Sequence, residues 1–209
     1  MSFGFGIIDP SNGIIEEIIK NECNRQILFA AAANHGNNLR YIAYPARLNR
    51  VICVKSSEGD GRPSSFSPSR SDDAGRGFFI LGEEVLSMWR SYWQDGVRIL
   101  QRRASGTSVA TPIAAGVAAL TLEFINQPDK GPGWPYLQRS LQTFKADPTD
   151  RMTKILWAMS DTTYSTTLRK VSYIAPWTTL KSSSDSGEDH PPMTPRTESA
   201  SKIWNSMQQ

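Results

Sequence analysis

The chain has 209 residues, a formal net charge of +3 and 39% hydrophobic residues, which is enough for one domain with a sizeable core. Acidic and basic residues are mixed along it, and no run of Lys or Arg is long enough to indicate a nucleic-acid-binding surface. The N-terminus lacks the basic and apolar regions of a secretory signal, and there are only two cysteines. We therefore expect a cytoplasmic protein in a reducing compartment, without a disulfide scaffold.

The first part of the chain alternates short apolar runs with one helical pattern. Residues 1–5 resemble the end of a strand that enters a Gly-rich turn, and isoleucines at helical spacing predict a helix over residues 11–24. Residues 26–33 and 50–54 predict strands buried on both faces, and residues 58–77 predict a loop. Short buried strands with helices between them indicate a parallel α/β sheet.

The rest of the chain predicts two further strands and three helices before a polar tail. The helix over residues 106–124 is long and apolar enough to raise the alternative of a membrane span, but its Ala, Gly and Thr content favours a buried helix. Residues 180–209 are rich in Ser and Pro and predict a disordered tail after a domain over residues 1–179. The other predicted elements are strands at residues 78–81 and 97–101 and amphipathic helices at residues 134–145 and 151–159.

Ser108 lies where a Gly-Thr turn becomes the Ala-rich helix. The unpaired N–H groups and the dipole at a helix start favour negative charge, so they would stabilise an oxyanion formed when Ser108 attacks a carbonyl. Pro112 is compatible with this position if it lies in the first turn, which needs no N–H from it. The residue types alone leave two alternatives for Ser108, a nucleophile or a simple N-cap, and the N-cap is the commoner role.

Several segments, taken in order, resemble one family. The segment G-T-S-V-A-T-P-I-A-A at residues 106–115 resembles the nucleophile signature of the subtilisin-like serine proteases, or subtilases. M-S-F-G at residues 1–4 and A-A-A-A-N-H-G at residues 30–36 resemble the strand that pairs with bound peptide and the turn that carries the oxyanion-hole asparagine. Y-I-A-P-W at residues 173–177 is similar to the end of intracellular fungal members. The resemblance implies the C-terminal half of a subtilisin-like α/β domain, incomplete at its N-terminus.

The resemblance also implies roles for individual residues. Ser108 would be the nucleophile, and the side-chain amide of Asn34 would donate to the oxyanion beside the Ser108 N–H. Ser2, Phe3 and Gly4 would line the substrate channel by strand pairing with a peptide. The implied activity is serine-type endopeptidase hydrolysis of a peptide or protein. Calcium sites are common in the family, but this sequence has no dense carboxylate loop, so we expect no metal. We also expect no cofactor and no nucleic-acid or membrane partner.

Two positions depart from the family pattern. Ala33 stands where the family has Gly before the oxyanion Asn, and its methyl group is expected to tilt the turn and misdirect the amide of Asn34. Leu81 stands where the family has Pro before Gly82.

The triad is incomplete in this sequence. A serine hydroxyl needs a base and a group that orients the base, and in subtilases an Asp and a His come before the M-S-F-G segment. The chain contains only His35, whose side chain is expected to point away from that of Asn34, and His190, which lies in the predicted tail. We therefore expect the isolated chain to lack most of the activity, and the missing N-terminal half of the domain is a candidate partner.

Two other functions are open. One is a non-catalytic pseudoprotease or peptide-binding interaction module, in which Trp89, Tyr92 and Trp93 form either a contact surface or, as is commoner for clustered aromatic residues, part of the core. The other is a phosphate-binding enzyme that uses G-F-G at residues 4–6, but this motif is short and lacks a Lys and a third Gly.

Overall fold

The computed structural model describes residues 2–3, 13–23, 25–36, 42–68, 77–94, 97–126, 148–162 and 171–176. These ranges contain eight strands and three helices. The strands are β1 (Ser2–Phe3), β2 (Phe29–Ala31), β3 (Ile52–Ser57), β4 (Gly77–Leu81), β5 (Val85–Gln94), β6 (Val97–Ala104), β7 (Ser160–Asp161) and β8 (Tyr173–Ile174), and the helices are α1 (Ile14–Glu22), α2 (Thr107–Asn126) and α3 (Pro148–Ala158).

Six strands form one sheet in the order β1-β2-β3-β4-β8-β7. The first five of these are parallel, and β7 pairs antiparallel with β8. Every residue of β2 and β3 is buried, as expected of parallel strands that are covered on both faces. The expected parallel α/β architecture is confirmed, and its central strands bring the turns that follow β2 and β4 to the same edge.

Helix α2 packs across one face of β2, β3 and β4. Three alanines of α2 are buried against the sheet: Ala110, Ala114 and Ala118. Their small side chains allow the helix backbone to approach the strands closely. Gly82 marks the tightest point, since a Cβ there would lie 2.8 Å from the Cβ of Ala110. A second apolar cluster on the sheet's other face includes Ile19 of α1.

Pro112 does not lie in the first turn of α2, as the sequence analysis supposed. It is an interior residue in the second turn, so α2 lacks the main-chain hydrogen bond that residue 112 would donate to the Ser108 carbonyl. The helix continues through this gap because its buried side packs on the sheet.

Several predicted boundaries differ from those observed. Helix α1 is shorter than predicted and follows Gly13, whereas α3 starts earlier than predicted, at Pro148, a residue favoured in the first helical position. The predicted strand at residues 97–101 extends to Ala104. The predicted helix at residues 134–145 and the predicted tail at residues 180–209 lie outside the described residues.

Strands β5 and β6 form a separate two-stranded antiparallel sheet, a hairpin that the sequence analysis did not predict. The pairing runs from Val85 opposite Ala104 to Gln94 opposite Val97, with an irregularity between Met88 and Tyr92. The hairpin occupies the chain between Gly82 and the start of α2.

Among the described helices, α2 alone is long and apolar enough to cross a membrane by length and composition. The core helix of a soluble protein meets the same criterion, and one face of α2 packs on the sheet.

Candidate active site

Two turns at the carboxyl edge of the sheet are joined through Asn34 and Thr107. The Asn34 Oδ1 atom accepts hydrogen bonds from the Thr107 N–H at 2.8 Å and from the Thr107 hydroxyl at 2.9 Å. A backbone N–H can only donate, so the Asn34 atom that faces it must be the carbonyl oxygen. The Nδ2 group of Asn34 is therefore left to donate elsewhere.

Gly106 lies between that amide and the hydroxyl of Ser108. A Cβ on Gly106 would be 3.1 Å from Asn34 Nδ2 and 3.1 Å from Ser108 Oγ. Its φ of 152° also favours glycine. The Asn34 amide and the Ser108 hydroxyl thus lie on either side of the position that a Cβ of residue 106 would occupy. Glycine leaves that position empty.

Ser108 is exposed and lies in the first turn of α2. The N–H groups of Val109 and Ala110 both donate to the Gly106 carbonyl. The Ser108 N–H precedes them, among the helix-start donors that have no acceptor within the helix. A serine hydroxyl, a side-chain amide and a helix-start N–H therefore occupy one accessible region.

The turn that carries Ser108 is fixed to the sheet by backbone hydrogen bonds. The Gly106 N–H donates to the Gly82 carbonyl at 2.7 Å, and the Gly82 N–H donates to the Ser57 carbonyl at 3.0 Å. On the Asn34 side, the Gly36 N–H donates to the Phe66 carbonyl at 2.7 Å. Main-chain bonds therefore hold the Ser108 turn, through Gly82, to the carboxyl end of β3, and the Asn34 turn to the loop that follows β3.

Ala33 adopts a backbone conformation that L-residues with a Cβ rarely occupy, with a φ of 105°. Its N–H donates to the Thr107 hydroxyl at 3.3 Å. This positive φ implies backbone strain at Ala33. Asn34 nevertheless accepts both hydrogen bonds from Thr107.

The structure places the predicted site residues as follows. Asn34 and Ser108 lie beside each other at Gly106, and Ser2 and Phe3 form β1, in register with Phe29 and Ala30 of β2. Gly4 and His190 lie outside the described residues, and His35 is half-buried next to Asn34 in the chain.

Thr107 has a part in the site that was not predicted from the sequence. Its side chain is almost fully buried, it donates twice to Asn34, and it accepts from Ala33. Its place between Gly106 and Ser108 in the G-T-S motif was the available signal. In the part of the chain that the structure describes, no three His, Cys, Asp or Glu side chains gather as metal ligands would.

Solved structures confirm the fold. The structure of the prenylagaramide maturation protease PagA is 26% identical with a TM-score of 0.53, and covers 77% of this chain and 51% of that one. The structure of the PatG macrocyclase in complex with peptide is 21% identical with a TM-score of 0.51, and covers 74% of this chain and 41% of that one.

Sequence comparison gives the family. The subtilisin-like protease het-Q2 of Podospora anserina is 32% identical over 102 residues, and halolysin of Haloferax mediterranei is 31% identical over 100 residues. Each alignment covers 48% of this chain, but only 26% of het-Q2 and 17% of halolysin. The profile of the subtilase family, Peptidase_S8, matches residues 1–155. This chain, with its Ser108 turn and subtilisin-like sheet, belongs to the subtilase family of serine peptidases.

Proposed function

We propose that this chain carries the nucleophile and the oxyanion donor of a subtilisin-like serine endopeptidase. The observation that carries the proposal is the convergence of Ser108 Oγ and Asn34 Nδ2 on the point left open by Gly106. Membership of the subtilase family supports the reaction class, peptide-bond hydrolysis.

The proposed chemistry divides between groups in this chain and a base outside it. Ser108 Oγ forms a bond to the scissile carbonyl carbon and gives its proton to the base, while the carbonyl π electrons move to oxygen. The Asn34 amide and the Ser108 N–H donate to that oxygen in the tetrahedral intermediate. Collapse of the intermediate breaks the C–N bond, and the amine leaves with the proton from the base.

The base and its orienting acid are proposed to come from outside these 209 residues. The sequence holds two histidines, His35 and His190, and neither occupies the place that the family motif gives to the base. We propose that the N-terminal half of a subtilase domain provides both groups, and that this chain alone is inactive.

An uncovered surface on the described part of the chain supports that proposal. One side of α2 is exposed along its length, with Leu120 at 73% exposure. A helix that is apolar on all its sides, as α2 is over most of its length, is normally buried on all of them. Ser108, Pro112, Gly116 and Leu120 mark this exposed side.

Ser2, Phe3 and Gly4 are proposed to line the substrate channel. Their support is the position of β1 next to β2, which leads to the Asn34 turn. A peptide pairing with this segment would run toward Ser108.

An active-serine phosphonate probe tests the activity. We expect no labelling of the chain alone, and labelling when it is joined to an upstream segment that encodes an Asp and a His, as revealed by sequencing the transcript ahead of the Met1 codon. Ser108→Ala should abolish that labelling, and Asn34→Ala should slow it about 100- to 1000-fold, the range known for such a donor in subtilisin. Labelling that survives Ser108→Ala would refute the assignment of the nucleophile.

A non-catalytic peptide-binding module is the second candidate, favoured by the small number of histidines. A transcript closed just ahead of Met1, together with peptide binding and no labelling, would establish this second function instead.

A further inference from the structure

The β5–β6 hairpin exposes apolar side chains on both of its faces. Leu86 and Met88 are 54% and 70% exposed, and Trp93 and Leu100 are 73% and 44% exposed. An isolated two-stranded hairpin is at best marginally stable in water, and exposed apolar residues at this density typically mark an interaction surface.

The two faces follow from the strand register. Trp93 is paired with Arg98, so these side chains share a face, and alternation along β6 adds Leu100 and Arg102 to it. We call this set, Trp93, Arg98, Leu100 and Arg102, the arginine face. Leu86 is paired with Arg103 on the opposite face.

The hairpin is also strongly basic. Residues 85–104 contain four arginines and one aspartate. Arg98, Arg102 and Arg103 are exposed on β6. An acidic partner would therefore complement this strand.

Among the described strands β6 pairs only with β5, in a sheet separate from the main one, so no described strand occupies its other edge. The outward N–H and C=O groups of such an edge form a template for a further strand. Addition of an extended peptide would satisfy these groups, and its alternate side chains would meet the arginine face.

We propose that an extended acidic segment of the protein substrate adds to the open edge of β6. Arg98 and Arg102 lie four residues apart on one face, about 13 Å along the strand, with Leu100 between them. The matching segment has the pattern acidic-x-apolar-x-acidic. Because β6 leads through Ser105 and Gly106 to Ser108, this contact holds the substrate beside the nucleophile, and the assignment of the occupant as substrate rests on the proposed peptidase function.

Two other occupants fit the surface less well. A second copy docked through the same face would set arginines against arginines. A lipid surface favours a single apolar face, whereas this hairpin divides its apolar residues between two faces, with arginines on both.

The test measures binding without cleavage, using the full chain with Ser108→Ala. A fluorescein-labelled peptide Thr-Glu-Thr-Leu-Thr-Glu-Thr is titrated by fluorescence anisotropy, beside a version with Lys in place of Glu and a version N-methylated at alternate residues. We expect saturable binding of the first peptide that weakens with salt, and weak or no binding of the other two.

Paired variants locate the contact. Arg98→Gln with Arg102→Gln should weaken binding about tenfold, since each exposed charge contact contributes modestly. Arg25→Gln with Arg103→Gln removes the same net charge from exposed positions off the arginine face and should leave the Kd nearly unchanged.

Each contrary result overturns the proposal. Equal losses in the two pairs would show a non-specific charge effect, and undiminished binding of the N-methylated peptide would exclude strand addition. Binding to vesicles of anionic phospholipid with no binding to the acidic peptide would identify a membrane surface. Phosphonate labelling of the active assembly is read separately, so failure of the peptidase function is distinguishable from failure of this contact.

Discussion

The central sheet and the β5–β6 hairpin use similar residues in opposite environments. Phe78 of β4 and Val54 of β3 are fully buried under α2, whereas Trp93 and Met88 of β5 are mostly exposed. The difference lies in the neighbours along the chain. Strands β2 and β4 are almost continuously apolar, while Ser, Arg and Gln interrupt the apolar residues of β5 and β6.

This contrast teaches where the stability of the molecule resides. The sheet and α2 bury apolar surface and provide most of the free energy of folding. The hairpin side chains whose burial is described are mostly exposed, so the hairpin is expected to open at a lower free energy than the sheet does. Its apolar side chains are better explained by a contact with another molecule than by packing.

The largest expected effect compares one aromatic deletion in each region. Phe78→Ala removes a fully buried ring that lies 5.5 Å, centroid to centroid, from Trp157. We expect a loss of about 3–5 kcal/mol in the free energy of unfolding because a cavity forms. Trp93→Ala should change it by less than about 0.5 kcal/mol. Guanidinium unfolding measures both, and an equal cost would mean that the hairpin is packed like the sheet.

A second pair compares two glycines at the start and in the middle of α2. Gly106→Ala places a methyl group 3.1 Å from Asn34 Nδ2 and should lower the stability by about 2 kcal/mol through backbone strain. Gly116 has open space around it, so Gly116→Ala should raise the stability by about 1 kcal/mol through helix propensity. Thermal unfolding distinguishes the signs. A stabilised Gly106→Ala variant would mean that the turn does not need its glycine.

A third change relieves strain at the site without altering the core. Ala33→Gly should raise the free energy of unfolding by about 1 kcal/mol, because glycine adopts a φ of 105° freely. Ala32→Gly, at a buried neighbour without a positive φ, is the control and should lower it by about 1 kcal/mol. Urea unfolding of the two variants gives the comparison, and destabilisation by both would disprove strain at Ala33.

The smallest effect concerns the buried hydroxyl of Tyr44, in the cluster on the other face of the sheet. Burial raises the pKa of Tyr44, the charge of Glu16 raises it further, and that of Arg47 opposes them. The unfolded chain then loses the tyrosine proton first, so stability is retained below about pH 10 and falls above it.

Tyr44→Phe should reduce that alkaline loss. Because the Tyr44 hydroxyl has no hydrogen-bond partner among the described residues, the change should alter the stability at neutral pH by less than about 1 kcal/mol. Urea midpoints at about pH 8 and about pH 11, on either side of the ordinary tyrosine pKa, provide the measurement. Burial and the charge of Asp60 also raise the pKa of Tyr173. Its contribution to the alkaline loss of stability should therefore remain in the Tyr44→Phe variant. An unchanged alkaline loss in the variant would contradict the assignment to Tyr44.

The sequence predicted the structure best where a local residue pattern is typical of only one kind of element. The buried runs around Phe29 and Ile52 predicted parallel strands, and the G-T-S motif predicted the turn before α2. It was least informative for β5, because the bulge between Met88 and Tyr92 breaks the alternation that marks a strand. The geometry of Ala33 also lay beyond reach, since a positive φ for Ala is imposed by distant contacts such as that with Thr107.

The shared hydrogen bonds of Thr107 couple the two halves of the site mechanically. Thr107 directly precedes Ser108, and both its N–H and its hydroxyl donate hydrogen bonds to the Asn34 side chain. A displacement of α2 relative to the sheet therefore carries the serine oxygen and the amide together, and their separation varies less than the position of either. In a site built on independent loops, thermal motion would change the distance between the two groups. Here the two groups move together, so that distance changes little. The Ser108 hydroxyl and the Asn34 amide can thus keep their mutual spacing while the exposed side of α2 still moves.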